Sequence, residues 1–148
     1  NRPDVKGTKY ISEAFDVISK KHATHVQCIL GEKMSLDAYL SELSTVDIVV
    51  DQVFSSSTSM NSVYAMALGK IVLGGGEDAY LDEFQIDKCE CPLITIKPDV
   101  QSIVTAIEKV ISKKSSLEQM SRSSREFVSK HHDARSIAAQ YIKSWSSI

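Results

Sequence analysis

A run of hydroxyl and small side chains separates two segments that are typical of a buried strand and a helix. Residues 55–59 read SSSTS; they follow the apolar run 47–53 and lead into residues 60–68, MNSVYAMAL. Ser59 is placed to cap that helix, which would leave the backbone N–H groups of Met60, Asn61 and Ser62 free. Free N–H groups and the helix dipole favour an anion such as phosphate. Serine and threonine are also ordinary turn and cap residues, so spacing alone leaves an anion site and a plain connection equally open.

Other residues that could take part in a functional site give weaker signals. Gly74 to Gly76 follow the next apolar run, and they allow either a close approach of the backbone to a ligand or a simple turn. The pair Cys89 and Cys91 lacks a second cysteine pair or a nearby histidine, so no zinc site and no metal is expected. The odd cysteine count, with Cys28 in an apolar run, favours a reduced cytoplasmic protein.

Length and charge restrict the class of protein. A chain of 148 residues fits a single domain, 1–148, with a sizeable core. The formal net charge of -2 gives no electrostatic case for nucleic acid as a partner. No apolar run approaches the roughly 20 residues that cross a bilayer.

The pattern of elements predicts an α/β fold. Strand-like runs at 25–30, 47–53, 70–73 and 92–96 alternate with helical periodicity at 8–22, 35–43 and 59–68. Beyond residue 98 only helices are expected, with starts near Asp99, Ser115 and Asp133. We predict a Rossmann-like, doubly wound parallel sheet, covered on both faces, with C-terminal helices. Ligands bind such sheets at the carboxyl ends of the strands, which is where residues 55–62 fall.

Several separate stretches together resemble a known family. They are Arg2-Pro-Asp-Val-Lys6-Gly7-Thr8, Ile29-Leu30-Gly31, Asp47-Ile-Val-Val-Asp51, Ala65-Met-Ala-Leu-Gly-Lys-Ile-Val72, and Arg125-Glu-Phe-Val128 with His132. The whole chain resembles the C-terminal, donor-binding half of a GT-B glycosyltransferase. The nearest type is the retaining family 4 (glycosyl transferases group 1), which includes many bacterial capsule and lipopolysaccharide transferases. The 65–72 segment resembles the most specific signature of that family.

The resemblance implies roles by position. Arg2 and Lys6 would grip the nucleoside diphosphate of the donor sugar and stabilise the charge that develops as it leaves. Such folds need no metal or other cofactor, because Arg and Lys take that part. The start of the 59–68 helix would supply backbone donors to the same diphosphate. The donor-binding residues implied are Gly31, Ser56, Ser59, Met60, Asn61, Ser62 and Tyr64.

Two departures from the family pattern bear on activity. The family carries two glutamates with seven residues between them, and here those positions are Ser56 and Tyr64. Tyr64 can hydrogen-bond a ribose, stack on a ring, or belong to the core. Two hypotheses follow: a catalytic donor-binding half that uses a nucleotide sugar, or a degenerate, non-catalytic nucleotide-binding or scaffold module. A flavodoxin-like receiver or electron-transfer domain is disfavoured, because its acidic cluster or flavin-stacking aromatics are missing from the sequence.

The second departure concerns partners. The first strand of such a half normally precedes the arginine, and it is missing here. We therefore expect a fragment of a two-domain transferase, whose partner is its own N-terminal acceptor-binding domain and which is inactive by itself. An open strand edge invites pairing, so we expect either a homodimer across that gap or an unusual sheet. Amphipathic helices allow peripheral membrane contact of the parent enzyme, although no basic stripe supports it.

Overall fold

The computed structural model of the chain describes residues 6–76, 81–82 and 85–146. Its elements in chain order are α1 (Thr8–Lys21), α2 (Leu36–Thr45), β1 (Ile48–Val50), α3 (Met60–Ala67), β2 (Ile71–Gly74), β3 (Ile94–Thr95), α4 (Val100–Ser112), a 3-10 turn (Lys114–Ser116), α5 (Leu117–His131) and α6 (Ala134–Trp145). The three strands form one parallel sheet in the order β1-β2-β3. The predicted α/β class, with a parallel sheet and C-terminal helices, is confirmed.

Four of the helices begin where a capping side chain is found in the sequence. Ser35, Ser59, Asp99 and Asp133 each accept a hydrogen bond from the backbone N–H three residues further on. Such a cap satisfies one of the N–H groups that have no partner inside the helix, and it typically contributes about 1 kcal/mol. The predicted helix starts at these four positions are confirmed.

The central strand β2 is buried on both faces of the sheet. Ile71 and Leu73 point into the core formed with α1 and α4, whereas Val72 points into the core formed with α3 and α5. This alternation follows from the two-residue period of a strand. Because helices cover both faces, the strand is apolar at every position, as its sequence predicts.

The sheet ends at β1, which differs from the prediction. Residues 25–30, which we predicted to be a strand, contain a turn followed by irregular backbone. Their side chains Ile29 and Leu30 are 42% and 50% exposed. A strand needs a neighbour for its hydrogen bonds, and no described strand lies between this segment and β1. Among the described residues, β1 is therefore an edge strand of the sheet.

The C-terminal helices differ in how much they contribute to the core. Helix α4 packs on α1 and buries Ile103, Ile107 and Val110, whereas α5 packs on α3 and buries Phe127. Helix α6 has no buried residue among those described; Tyr141, Ile142 and Trp145 on it are largely exposed. The fold is therefore stabilised mainly by the layers next to the sheet.

His132 directly follows the last residue of α5 and should make stability depend on pH. Burial, and then the neighbouring His131, lower the pKa of His132 below its usual value of 6.5. Its Nε2 is buried without a hydrogen-bond partner in the described part of the chain. The neutral form is thus favoured in the folded state, so its stabilising contribution is present above about pH 6.5 and is lost as the pH falls through the folded pKa.

We therefore expect the His132→Gln variant to lose less stability than the wild type between pH 7.5 and 5.5 (roughly one pH unit on either side of the reference histidine pKa). Urea unfolding followed by far-UV circular dichroism measures this difference. The His25→Gln variant, which replaces an exposed histidine outside α5, is measured in parallel as the control. Parallel pH profiles for the wild type and His132→Gln would contradict the assignment.

Candidate functional site

A cavity of about 440 Å³ lies alongside β1. Every residue of β1 lines it, and no residue of β2 does, so it lies along the edge of the sheet that the described strands form. Helix α1, helix α2 and residues 29–34 form its other walls. We call it the edge cavity.

The edge cavity has a polar end at the carboxyl end of β1. Lys6, Asp51, Gln52 and Asn61 line it there. The carbonyl oxygen of Lys6 accepts a hydrogen bond from the N–H of Val53 at 3.1 Å, which fixes Lys6 beside the chain that leaves the strand. Residues before α1, at the end of β1 and at the start of α3 thus line the cavity where an open parallel sheet usually binds its ligand.

Asp51 is the centre of a hydrogen-bond network at this end. It is 7% exposed, and its Oδ2 accepts hydrogen bonds from the hydroxyl groups of Ser59 and Ser62, the latter at 2.8 Å. The Ser59 hydroxyl in turn accepts from the N–H of Ser62 at 3.2 Å. The start of α3 therefore has an internal anion beside it, and the carboxylate is stabilised by both hydroxyls and the helix dipole.

This network corrects one expectation. The N–H of Ser62, which we predicted to be free for a ligand, is already bonded to Ser59. The reason is local: a serine at the N-cap accepts from the N–H three residues on, so capping consumes one of the donors that a phosphate would need. Asp51 itself was not predicted as a site residue, because it reads as the end of an apolar strand. Its position at the carboxyl end of a buried strand was the available signal.

Tyr39 faces the same carboxylate from α2. Burial, and then the charge of Asp51, raise the pKa of the Tyr39 hydroxyl above its usual value of 10.0. The hydroxyl therefore stays protonated and can donate a hydrogen bond into the edge cavity, which Tyr39 lines. In the sequence, Tyr39 is only part of the helical periodicity of residues 35–43.

The glycines after β2 hold the loop above the polar end. The N–H of Gly75 donates to the carbonyl oxygen of Gln52 at 2.8 Å, and a Cβ on Gly75 would collide with the backbone of Ser55. The close backbone approach that the glycines allow is thus an approach to the loop after β1. The Ser55 hydroxyl donates to the carbonyl oxygen of Ser57 at 2.6 Å, so part of the hydroxyl-rich run maintains its own turn.

The predicted site residues fall into three groups. Lys6, Gly31 and Asn61 line the edge cavity, and Ser59 and Ser62 lie behind it, bonded to Asp51. Ser56, Met60 and Tyr64 do not line it and are exposed, Met60 to 63%. Arg2 lies outside the described residues.

A second cavity, of about 480 Å³, lies between α5 and residues 89–92. Glu90 bonds Lys130 at 2.6 Å and His131 at 3.3 Å there, and these hydrogen bonds lower the pKa of Glu90. A hydrogen bond with Asp87 raises the pKa of the Cys89 thiol, which is the opposite of what an activated nucleophile needs.

Within the described ranges, no three His, Cys, Asp or Glu side chains are grouped to hold a metal ion. No helix there is long and apolar enough to cross a membrane.

Comparison with known proteins identifies a similar fold. A solved structure of sucrose-phosphate synthase (tll1590) from Thermosynechococcus elongatus is similar to this chain with a TM-score of 0.62 and 17% sequence identity. The match covers 89% of this chain and 32% of that one, so the chain spans about a third of the length of that enzyme. No family model matches the chain, and no curated protein matches it. The likeness shows the fold alone, which is a Rossmann-like α/β fold of the GT-B type.

Proposed function

We propose that this chain is the nucleotide-sugar-binding half of a retaining glycosyltransferase of the family 4 type. The observation that carries the proposal is that Lys6, Gly31 and Asn61 all line the edge cavity. These residues are distant in sequence, and each was implied as a site residue by the resemblance. The likeness in fold to sucrose-phosphate synthase supports the same class of enzyme.

In this proposal the donor diphosphate lies at the carboxyl end of β1, next to Lys6. Transfer breaks the bond between the sugar and the diphosphate, and negative charge builds up on the leaving phosphate oxygen. A cation held there stabilises that charge, and Arg2 would supply a second one. Gly31, without a side chain and with nothing within 4 Å of a Cβ built on it, leaves space for the ligand.

The acceptor would be held by another domain of the parent enzyme, so this chain alone would bind the donor without turning it over. A cytoplasmic enzyme that transfers hexoses in bacterial polysaccharide biosynthesis fits the resemblance. Binding measurements must identify the nucleotide base, the sugar and the acceptor.

The proposal predicts that one of UDP, GDP, ADP and CDP binds and that Lys6→Ala weakens its binding. A charge-assisted hydrogen bond contributes about 1.5–3 kcal/mol, so we expect a loss of about tenfold or more in affinity. Ligand-observed NMR measures the dissociation constants. Lys9→Ala is the matched control, since Lys9 lies one turn away on α1 and its side chain is 85% exposed. Arg2→Ala is measured in parallel.

Two outcomes would contradict the donor-binding proposal. One is the absence of binding for all four nucleotides by a sample that circular dichroism shows to be folded. The other is saturable binding that Lys6→Ala and Lys9→Ala weaken equally, because the effect would then come from overall charge and not from the site.

A second candidate function is a degenerate, non-catalytic module, and the position of Asp51 favours it. A buried carboxylate at the start of α3 repels a diphosphate from the place where the helix would otherwise attract it. The edge cavity is lined by two lysines and three carboxylates, so the charge of its other residues does not offset this repulsion. If this candidate is correct, the wild type binds none of the nucleotides and Asp51→Asn gains measurable binding.

A further inference from the structure

The second cavity, between α5 and residues 89–92, lies at the other end of the sheet from the polar end of the edge cavity. Ile71, which lines it, is the first residue of β2, whereas the polar end is next to Gly75, which follows the last residue of that strand. The two cavities share no lining residue. A ligand in the second cavity would therefore leave the proposed nucleotide site open.

The floor of the second cavity is apolar except for one hydroxyl group. Ile71 and Phe127 are each 3% exposed, and Met120 lines the cavity with them. Ser124 lies among these side chains at 2% exposure, and its hydroxyl forms no hydrogen bond to any residue that the structure describes. A buried hydroxyl without a partner is unfavourable, so it gains when a polar ligand atom reaches it.

The charges at the rim favour a cation. Glu90 binds Lys130 and His131 through one carboxylate oxygen, Oε2. Lys130 is the only lysine or arginine among the described residues that line the cavity, so its charge is already paired. Glu126 lines the cavity too, and its carboxylate forms no ion pair with any described residue. An ammonium group at the rim would therefore meet an unpaired carboxylate.

The size and the apolar floor favour a small aromatic molecule. A volume of about 480 Å³ lies within the roughly 300–1,000 Å³ that is usual for small-molecule sites. A ring beside Phe127 and Met120 would gain aromatic and sulfur–aromatic contacts, which an aliphatic chain would not.

We propose that the second cavity binds a small aromatic amine that carries a hydroxyl group at the far end of its ring. The ammonium group pairs with Glu126, the ring packs on the apolar floor, and the hydroxyl group forms a hydrogen bond with Ser124. This inference does not depend on the proposed nucleotide binding.

Tyramine is the probe, because it has an ammonium group at one end and a phenol hydroxyl at the other. Amide NMR titrations of the whole chain measure its Kd, and the amides of Ser124 and Phe127 should shift, whereas those that line the edge cavity should not. Phenethylamine, which lacks the hydroxyl, should bind about threefold to tenfold more weakly. Para-ethylphenol, which lacks the ammonium group, should bind about twofold to fivefold more weakly.

Two variants assign these differences to residues. In Ser124→Ala, tyramine and phenethylamine should bind equally, and the fold should be retained because no described hydrogen bond of that hydroxyl is lost. In Glu126→Gln, tyramine should lose its advantage over para-ethylphenol. Glu118→Gln is the matched control, since Glu118 is on the same helix, pairs with Arg122 and does not line the cavity. It should leave all three dissociation constants unchanged.

Three results would overturn the proposal. The first is unchanged amide shifts at Ser124 and Phe127 when tyramine is added to a folded sample up to its solubility limit. The second is equal binding of tyramine and phenethylamine by the wild type, because Ser124 would then recognise nothing. The third is an equal loss of affinity in Glu118→Gln and Glu126→Gln, because overall charge and not the rim would then attract the amine.

Discussion

Replacing Gly75 with alanine is expected to lower the free energy of unfolding by about 1–3 kcal/mol, the usual range for overpacking a filled site. The new Cβ would collide with the carbonyl oxygen of Ser55, lie 2.8 Å from its nitrogen, and lie 3.0 Å from the carbonyl oxygen of Val53. These are backbone atoms, so they cannot rotate away as a side chain would. The hydrogen bond from Gly75 to Gln52 holds the glycine in place, and the strain must therefore move the loop after β1.

Gly74→Ala is the matched control for this prediction. A Cβ on Gly74 would have its nearest neighbour at 3.5 Å, which is an ordinary contact. Urea unfolding followed by far-UV circular dichroism should give Gly75→Ala a free energy of unfolding well below that of both Gly74→Ala and the wild type. Equal stabilities for the two variants would show that the loop accommodates the methyl group, and that it does not fix the polar end of the cavity.

Replacing Asp51 with alanine should also lower the free energy of unfolding by about 1–3 kcal/mol, the cost of leaving buried polar partners unsatisfied. Ser62 is almost fully buried, and its hydroxyl would lose the acceptor that now lies at 2.8 Å. Ser59 would lose the same partner while it continues to cap α3. The effect should therefore extend to the start of that helix.

Asp47→Ala is the control, because Asp47 precedes the other end of β1 and is exposed. We expect it to stay within about 0.5 kcal/mol of the wild type, as for most surface substitutions. A double-mutant cycle between Asp51→Ala and Ser62→Ala then isolates the contact between the two side chains. Strictly additive losses would contradict a coupled network.

Most of the helix starts that local sequence determines were predicted correctly, but the helix predicted to start near Ser115 begins at Leu117, after a 3-10 turn and without a side-chain cap. The caps at Ser35, Ser59, Asp99 and Asp133 depend on residues three positions apart, and all four form. The apolar run that becomes β2 is likewise recognisable, because burial on both faces leaves no polar position.

Two features that depend on distant partners were not predicted. Residues 25–30 have the composition of a strand, but a strand forms only where a neighbour supplies hydrogen bonds, and sequence does not show that neighbour. Asp51 was missed for a similar reason. Its partners Ser59 and Ser62 are identified only when the loop after β1 folds back onto α3.

The exposed face of α6 also determines what the chain's intrinsic fluorescence can report. Trp145 is the only tryptophan in the sequence; it is 71% exposed, with the ring of Tyr141 6.0 Å away. Its indole is already in contact with water in the folded state, so its emission is insensitive to whether the core around β2 is intact. The same property makes it a built-in optical probe of the last helix: a shift of the emission to shorter wavelength would signal that another surface has covered α6.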